Sequence, residues 1–327
     1  MSAWRHWLSA QRGSLIACAL FVSMFVVYVT NHPAGFSPNV VQTAANKGVL
    51  LALVAIAQTF VVVTAGIDLS VGMVLVMTSC LASHIVAGGA ATTALGVAGV
   101  LGAGVLAGGL NGLIVIFGRL QPIVATIATG AFFFGVALIL RPTPGSSPDF
   151  NQNLADAMLG RVLNVPTSLI VLVALIVFIW IPFRRSVIGR ATYAVGSSEI
   201  AAYMSGMPVR QAKFLAYVMS GLFASMGGLY LTFVTYSGGA NLSNGNTYTL
   251  YSIAAVVLGG VSLFGGRGSA IGAIFGALAF RAIGDLLFVF DFDPLLQPLF
   301  QGVVLMIAVS IGSARLFQVR NRLEFFS

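Results

Sequence analysis

The sequence predicts an all-α polytopic membrane protein with about ten transmembrane helices. Three observations carry this expectation. Of 327 residues, 58% are hydrophobic and only 7% are charged, against about 25% charged residues in soluble domains. The mean hydropathy is +0.99. Apolar runs of span length follow one another along the chain, unlike the short alternating segments of a transmembrane β-barrel. So few charges exclude a soluble enzyme, a disordered chain and a coiled coil.

The first apolar run covers about 14–30. It follows Arg5 and Arg12 as a signal peptide would, but its length and the lack of a clean small-residue cleavage site point to a retained helix. Spans 2 to 5 lie at about 48–65, 69–87, 93–117 and 122–140. A Pro/Ser/Asn-rich connection at 141–166 leads to span 6 at about 167–183. The connection 184–211 then leads to spans 7 to 10, at about 212–236, 248–264, 270–290 and 295–312. Neither connection is long enough to bury a core of its own, so 1–327 reads as a single transmembrane domain.

Charge sets the orientation. With the N-terminus inside, the inner segments carry Arg5, Arg12, Arg119, Arg184, Arg185, Arg190, Arg210, Lys213, Arg267, Arg315, Arg320 and Arg322. The outer segments carry only Lys47, Arg141 and Arg161, and Arg281 falls within span 9. Basic residues collect on the cytoplasmic side, so both termini are expected there. The net charge of +8 is therefore an orientation signal and no sign of nucleic-acid binding.

An internal repeat is legible. Residues 66–72, GIDLSVG, match 239–245, GANLSNG. Shifted by one, the register continues through Gly88/Gly260, Gly96/Gly268, Gly104/Gly276, Gly112/Gly284, Pro122/Pro294 and Gly130/Gly302. The repeats run over about 48–140 and 212–312 and start an odd number of spans apart. An inverted pair follows, as in many transporters. The two Gly-x-[Asp/Asn]-Leu-Ser-x-Gly segments are then expected on opposite membrane sides.

The polar residues inside the apolar runs are few. Gly66, Asp68, Ser70 and Gly72 mark a helix break between spans 2 and 3, and Asn241 and Ser243 mark its counterpart. A carboxylate in a membrane costs about 2.5–3.5 kcal/mol on insertion scales. Asp68 therefore reads as a helix cap or as a residue of a transport pathway. Arg281 and Asp285, four apart on one face of span 9, read as an intramembrane ion pair or a proton relay. Gln58, His84 and Asn111 read as interhelical hydrogen-bonding groups.

Catalytic, cofactor and metal motifs are absent from the sequence. Lys47 and Lys213 are the only lysines, and neither stands in a G-x-x-x-x-G-K-[ST] loop. Cys18, Cys80 and the three histidines have no metal-ligand spacing.

Three segments together resemble the membrane permease subunit of bacterial ABC importers of the ribose/xylose/galactofuranose type. They are GIDLSVG at 66–72, AVGSSEIAAYMSGM at 194–207 and IAAVVLGGVSLFGGRGS at 253–269. Branched-chain amino-acid permeases look similar in outline but usually differ at 66–72. The resemblance implies a multi-pass protein of the bacterial inner membrane. It also implies a second permease subunit (a copy or a sister chain), a cytoplasmic ABC ATPase, a periplasmic sugar-binding protein, a monosaccharide substrate and surrounding lipid. Family members often carry Tyr-Glu-Leu-Asp where this chain has Tyr248-Thr249-Leu250-Tyr251, so both acids are missing.

A permease without its own ATPase must receive work through a cytoplasmic contact. Residues 196–206 suit a short rigid coupling helix: Ser197 or Ser198 as cap, Glu199 at the positive end, Ala201, Ala202 and Met204 as helix formers, and Gly206 before Pro208 as the stop. Small Ala201 and Ala202 are expected to fit a groove on the partner. Two further readings stand beside this one: an ion-coupled secondary transporter using Asp68, Asp285 and Arg281, and an ABC permease for a nucleoside or amino acid. A passive channel would need a polar filter sequence that is not there.

Overall fold

The structure is a computed structural model that describes residues 3–307 and Ser310, with side-chain surroundings from Arg12 onward. Arg315, Arg320 and Arg322, and the side chain of Arg5, lie outside the described residues.

The chain is an all-α polytopic membrane protein. Helices α1 (Ala3–Asn31), α2 (Pro38–Val62), α3 (Val71–Ile85), α4 (Ala90–Phe117) and α5 (Pro122–Leu140) come first. The connection expected to be irregular holds α6 (Gln152–Leu159) and a two-stranded hairpin, β1 (Arg161–Val162) with β2 (Val165–Pro166). Its tip residues Leu163 and Asn164 both have positive φ, as a tight hairpin turn needs. Next come α7 (Thr167–Leu175), a π-turn at Ile176–Trp180 and α8 (Ile181–Arg185), which run on as one span. The long connection after it is mostly helix, α9 (Val187–Ser197) and α10 (Glu199–Met204). Then follow α11 (Val209–Thr235), α12 (Leu242–Leu258), α13 (Ala270–Val289) and α14 (Pro294–Ile307).

Among the described residues, seven helices are long and apolar enough to cross a membrane. Expected spans 3, 8 and 10 fall on the shorter α3, α12 and α14. The first two are short because the chain stays non-helical through 63–70 and 236–241 before each begins.

Helix α2 is the axis of the fold. From Val49 to Val62 it is buried on every side, packed against α11, α13 and α12. A helix that is apolar all round has no face suited to water, and it takes the centre. The order α2–α3–α4–α5 recurs as α11–α12–α13–α14, and so do the backbone irregularities. Left-handed conformations recur at Ala65 and Tyr236, Gly88 and Gly260, and Arg119 and Asp291.

Two close approaches hold the halves together. A Cβ on Gly72 would overlap the Gly245 carbonyl oxygen where α3 crosses α12, and the Gly72 N–H donates to Thr249 Oγ1 at 3.1 Å. On α4, a Cβ on Gly108 would overlap the Tyr217 carbonyl of α11, and one on Gly221 of α11 would overlap the Gly104 carbonyl. Small residues let backbones meet where lipid supplies no hydrophobic drive.

Gly72→Val should therefore push α3 from α12 at a cost of about 1–3 kcal/mol, typical of overpacking. The expected outcome is a lower melting temperature and less monodisperse protein in detergent, measured by fluorescence-detected size exclusion. Gly102→Val, with open space at the Cβ position, should behave as wild type.

Candidate functional site

The first break is built around one buried carboxylate. After α2, the amides of Thr64, Ala65 and Gly66 turn back onto the carbonyls of Val61 and Val62. Asp68 is only 2% exposed. Its Oδ1 accepts from the Ser70 amide at 2.9 Å and from Ser70 Oγ at 2.6 Å, and its Oδ2 accepts from Ser220 Oγ of α11 at 3.0 Å. Thr129 Oγ1 of α5 donates to Asn111 Oδ1 of α4 at 2.5 Å, and Asn111 Nδ2 donates to Ser70 Oγ at 2.7 Å. Every donor in this chain points toward Asp68, and no contact asks the carboxyl to donate. Among the described residues no basic side chain pairs with it. Hydrogen bonds from neutral donors hold it instead.

Asp68 is thus not the end cap of α3. Ser70 occupies that position with helical backbone and no side-chain bond to the helix. Asp68 closes a turn two residues long, an arrangement Asx side chains favour. Asn241 does cap α12, accepting from the Asn244 amide at 3.0 Å. Asn241 and Ser243 are exposed, and neither is hydrogen-bonded to Asp68. Gly66, Asp68, Ser70 and Gly72 gather with Ser220, Asn111, Thr126 and Thr129, and Thr126 Oγ1 accepts from the Leu69 amide at 3.0 Å. Sequence reasoning missed Ser220, Thr126 and Thr129. Their signal was faint: single small hydroxyls within apolar helices.

The expected Arg281–Asp285 pair does not form. Asp285 is buried and pairs with Lys47 of α2 at 3.3 Å. Among the described residues Arg281 Nε is buried without a hydrogen-bond partner, and its guanidinium lies near Tyr248 and Tyr251. Side chains on a helix lean toward its N-terminus, so Arg281 leans away from the residue one turn further on. His84 and Asn111 do bond across helices, His84 to the Leu140 carbonyl at 2.9 Å. The Gln58 amide, expected to do the same, is buried with no partner among the described residues.

The helix pair α9/α10 is the second feature. The short helix expected within 196–206 is α10, and Ser198, with extended backbone, is its cap; the residues before it, Val187–Ser197, form a further helix that was not expected. Ser198 caps α10 by accepting from the Ala201 amide at 3.3 Å, and Gly206 ends the turn with φ of +72°. Glu199 pairs with Lys213 of α11 at 2.5 Å. Ala202 does not face outward: it is 4% exposed and packs against Ala191, Val195 and Ala212. Ala201 is exposed, and beside it stand large apolar groups, Ile200 at 74%, Tyr203 at 73% and Met204 at 80%. The helix is two-faced, with a small residue anchoring it and bulky residues presented.

Between the two features lies a cavity of about 640 Å³, lined by Thr64, Gly66, Arg119, Glu199, Lys213 and Tyr217 among others. Tyr217 is otherwise buried, its hydroxyl has no hydrogen-bond partner among the described residues, and that oxygen sits 3.2 Å from where a Gly66 side chain would begin. Among the described residues no group of three His, Cys, Asp or Glu comes together to hold a metal ion.

Residues 40–309 match the family described as branched-chain amino acid transport system / permease component. The chain is 33% identical over 295 residues to the ribose import permease protein RbsC of Bacillus subtilis, covering 89% of each chain. It is 34% identical over 307 residues to the probable ABC transporter permease protein y4mJ of Sinorhizobium fredii, covering 93% of this chain and 90% of that one. It is 33% identical over 280 residues to the galactofuranose transporter permease protein YtfT of Escherichia coli, covering 83% and 78%. No solved structure matches the chain.

Two outcomes follow from the geometry. Asp68→Asn keeps an acceptor for Ser70 and should fold with near wild-type yield. Asp68→Leu strands three donors at about 1–3 kcal/mol each and should collapse the yield of folded protein, read by the same detergent assay. Ala202→Trp should detach α10 from its bed, seen as new protease cleavage between 197 and 208 in otherwise intact protein.

Proposed function

This chain belongs to the permease-component family described for branched-chain amino acid transport systems, and we propose that it is the membrane subunit of an ATP-driven importer for a monosaccharide. The observation that carries this reading is the likeness to a ribose import permease over 89% of both chains. The likeness to a galactofuranose permease points to the same solute class. These 327 residues carry no phosphate-cradling lysine motif, and in this proposal ATP hydrolysis belongs to another subunit.

The working arrangement is a pair of permease subunits in the bacterial inner membrane with their termini in the cytoplasm. An ABC ATPase sits below, and a sugar-binding protein delivers solute from the periplasm. The recurrence of α2–α5 as α11–α14, with matching left-handed residues, supports an inverted repeat. Such a repeat gives both membrane faces related machinery. Helix α10 is the coupling element. Its exposed Ile200, Tyr203 and Met204 insert into the ATPase, while Ala202 holds it to the permease. A secondary transporter would need its ionisable groups in one coupling site, and Asp68 and Asp285 have separate partners, Ser220 and Lys47.

Uptake of labelled ribose, fructose and galactose into proteoliposomes holding the permease, its ATPase and its binding protein tests this. Import that requires ATP and the ATPase is expected; import driven by a proton or sodium gradient alone would falsify the proposal. Ile200→Ser with Tyr203→Ala should leave the permease folded. Loss of about 1.5–3 kcal/mol of burial per side chain should weaken ATPase binding at least tenfold, measured by co-purification or biolayer interferometry.

A further inference from the structure

We infer that α11 acts as a strut carrying displacement of the coupling helix to the Asp68 break, through Lys213, Tyr217 and Ser220; the inference rests on the importer reading above. These three residues are spaced i, i+4 and i+7, so they lie along one face of the helix. Their partners are three different parts of the chain, met in succession. Lys213 holds Glu199 of α10 at 2.5 Å. Tyr217 ends beside Gly66, at the start of the break. Ser220 donates to Asp68 Oδ2 at 3.0 Å. The distance spanned along the helix is about 10 Å at 1.5 Å per residue.

Two further features make the face act as a unit. Close glycine packing of Gly108 and Gly104 against Tyr217 and Gly221 ties α11 to α4, leaving little room for independent sliding. Asp68 then grips the start of α3 twice, at the Ser70 amide and hydroxyl. Ser70 in turn accepts from Asn111 of α4, and Asn111 accepts from Thr129 of α5. A tilt imposed on α10 thus arrives, by way of two hydrogen-bonded points on the first half of one helix, at the point where α3, α4 and α5 are joined. The Glu199–Lys213 pair is at the surface, and such pairs contribute little stability. Its role in this arrangement is to position α10 against α11, which is why the readout must be coupling and not folding. Intermediate position alone does not establish energetic coupling, so the test is a double-mutant cycle.

The experiment measures solute imported per ATP hydrolysed in proteoliposomes holding the permease with its ATPase and binding protein. Lys213→Met keeps the side-chain stem and removes the charge. It should leave ATPase binding and basal hydrolysis intact while lowering the coupling ratio several-fold. Lys213→Arg, and the exchanged pair Glu199→Lys with Lys213→Glu, should restore it. Ser220→Ala should lower the ratio alone, and Lys213→Met with Ser220→Ala should lower it no further than the worse single change. A wild-type ratio in both single variants overturns the strut, as do losses that multiply independently. Failure of the exchanged pair to recover, in protein that still binds the ATPase, also counts against it. If the wild-type complex shows no ATP-dependent import at all, the importer reading itself falls, and the strut with it.

Discussion

A chain that stops being helical inside a bilayer strands backbone donors and acceptors where no water can reach them, and each must find a protein partner. Residues 63–70 follow the most buried helix of the fold and are themselves largely buried in protein, so their backbone groups also need protein partners. The amides of 64–66 fold back on their own helix, and Asp68 takes the next burden by accepting from Ser70. A carboxylate so placed then needs partners of its own. Ser220 and the Ser70 hydroxyl supply them without a cation. The first break, the start of α3 and the placing of α11 beside it all depend on this one group being fully bonded.

The second requirement is proximity. Ser220 reaches Asp68 only because α11 runs close to both α4 and α2, and it does so where glycines face one another. In lipid, association of helices comes from packing and hydrogen bonds, since the tails are as apolar as leucine. The chain accordingly concentrates small residues at its crossings and polar groups at its breaks. Large apolar side chains of α4 and α5 such as Leu106, Phe117, Ile127 and Ile139 are exposed, as suits a surface turned to lipid or to another subunit. The exposed apolar side chains of α10 lie outside the helices long enough to cross a membrane, and a cluster of this kind suits a docked protein partner.

Much of this was legible residue by residue. The apolar runs gave the spans, because a bilayer demands length and apolarity together. The paired Gly-x-[Asp/Asn]-Leu-Ser-x-Gly segments gave both breaks. Ser198 as a cap and Gly206 as a stop follow from local backbone chemistry, which needs only neighbouring residues. The Arg281–Asp285 expectation failed on information the sequence also holds. The order of the two charges along the helix disfavours their meeting, and spacing alone conceals it.

What the sequence determined by itself rests on local or periodic physics: membrane class, the order of the apolar helices, the places where they break, and the caps at Ser198 and Asn241. What only the tertiary structure decided is which group answers which. Asp285 finds Lys47 across 238 residues, and Asp68 finds Ser220 across 152. Ala202, small enough to enter a partner's groove, turns inward because Ala191, Val195 and Ala212 offer it a bed. Helical periodicity assigns a residue to a face, but the neighbour waiting at that face is set by how distant helices pack, and no local pattern encodes it.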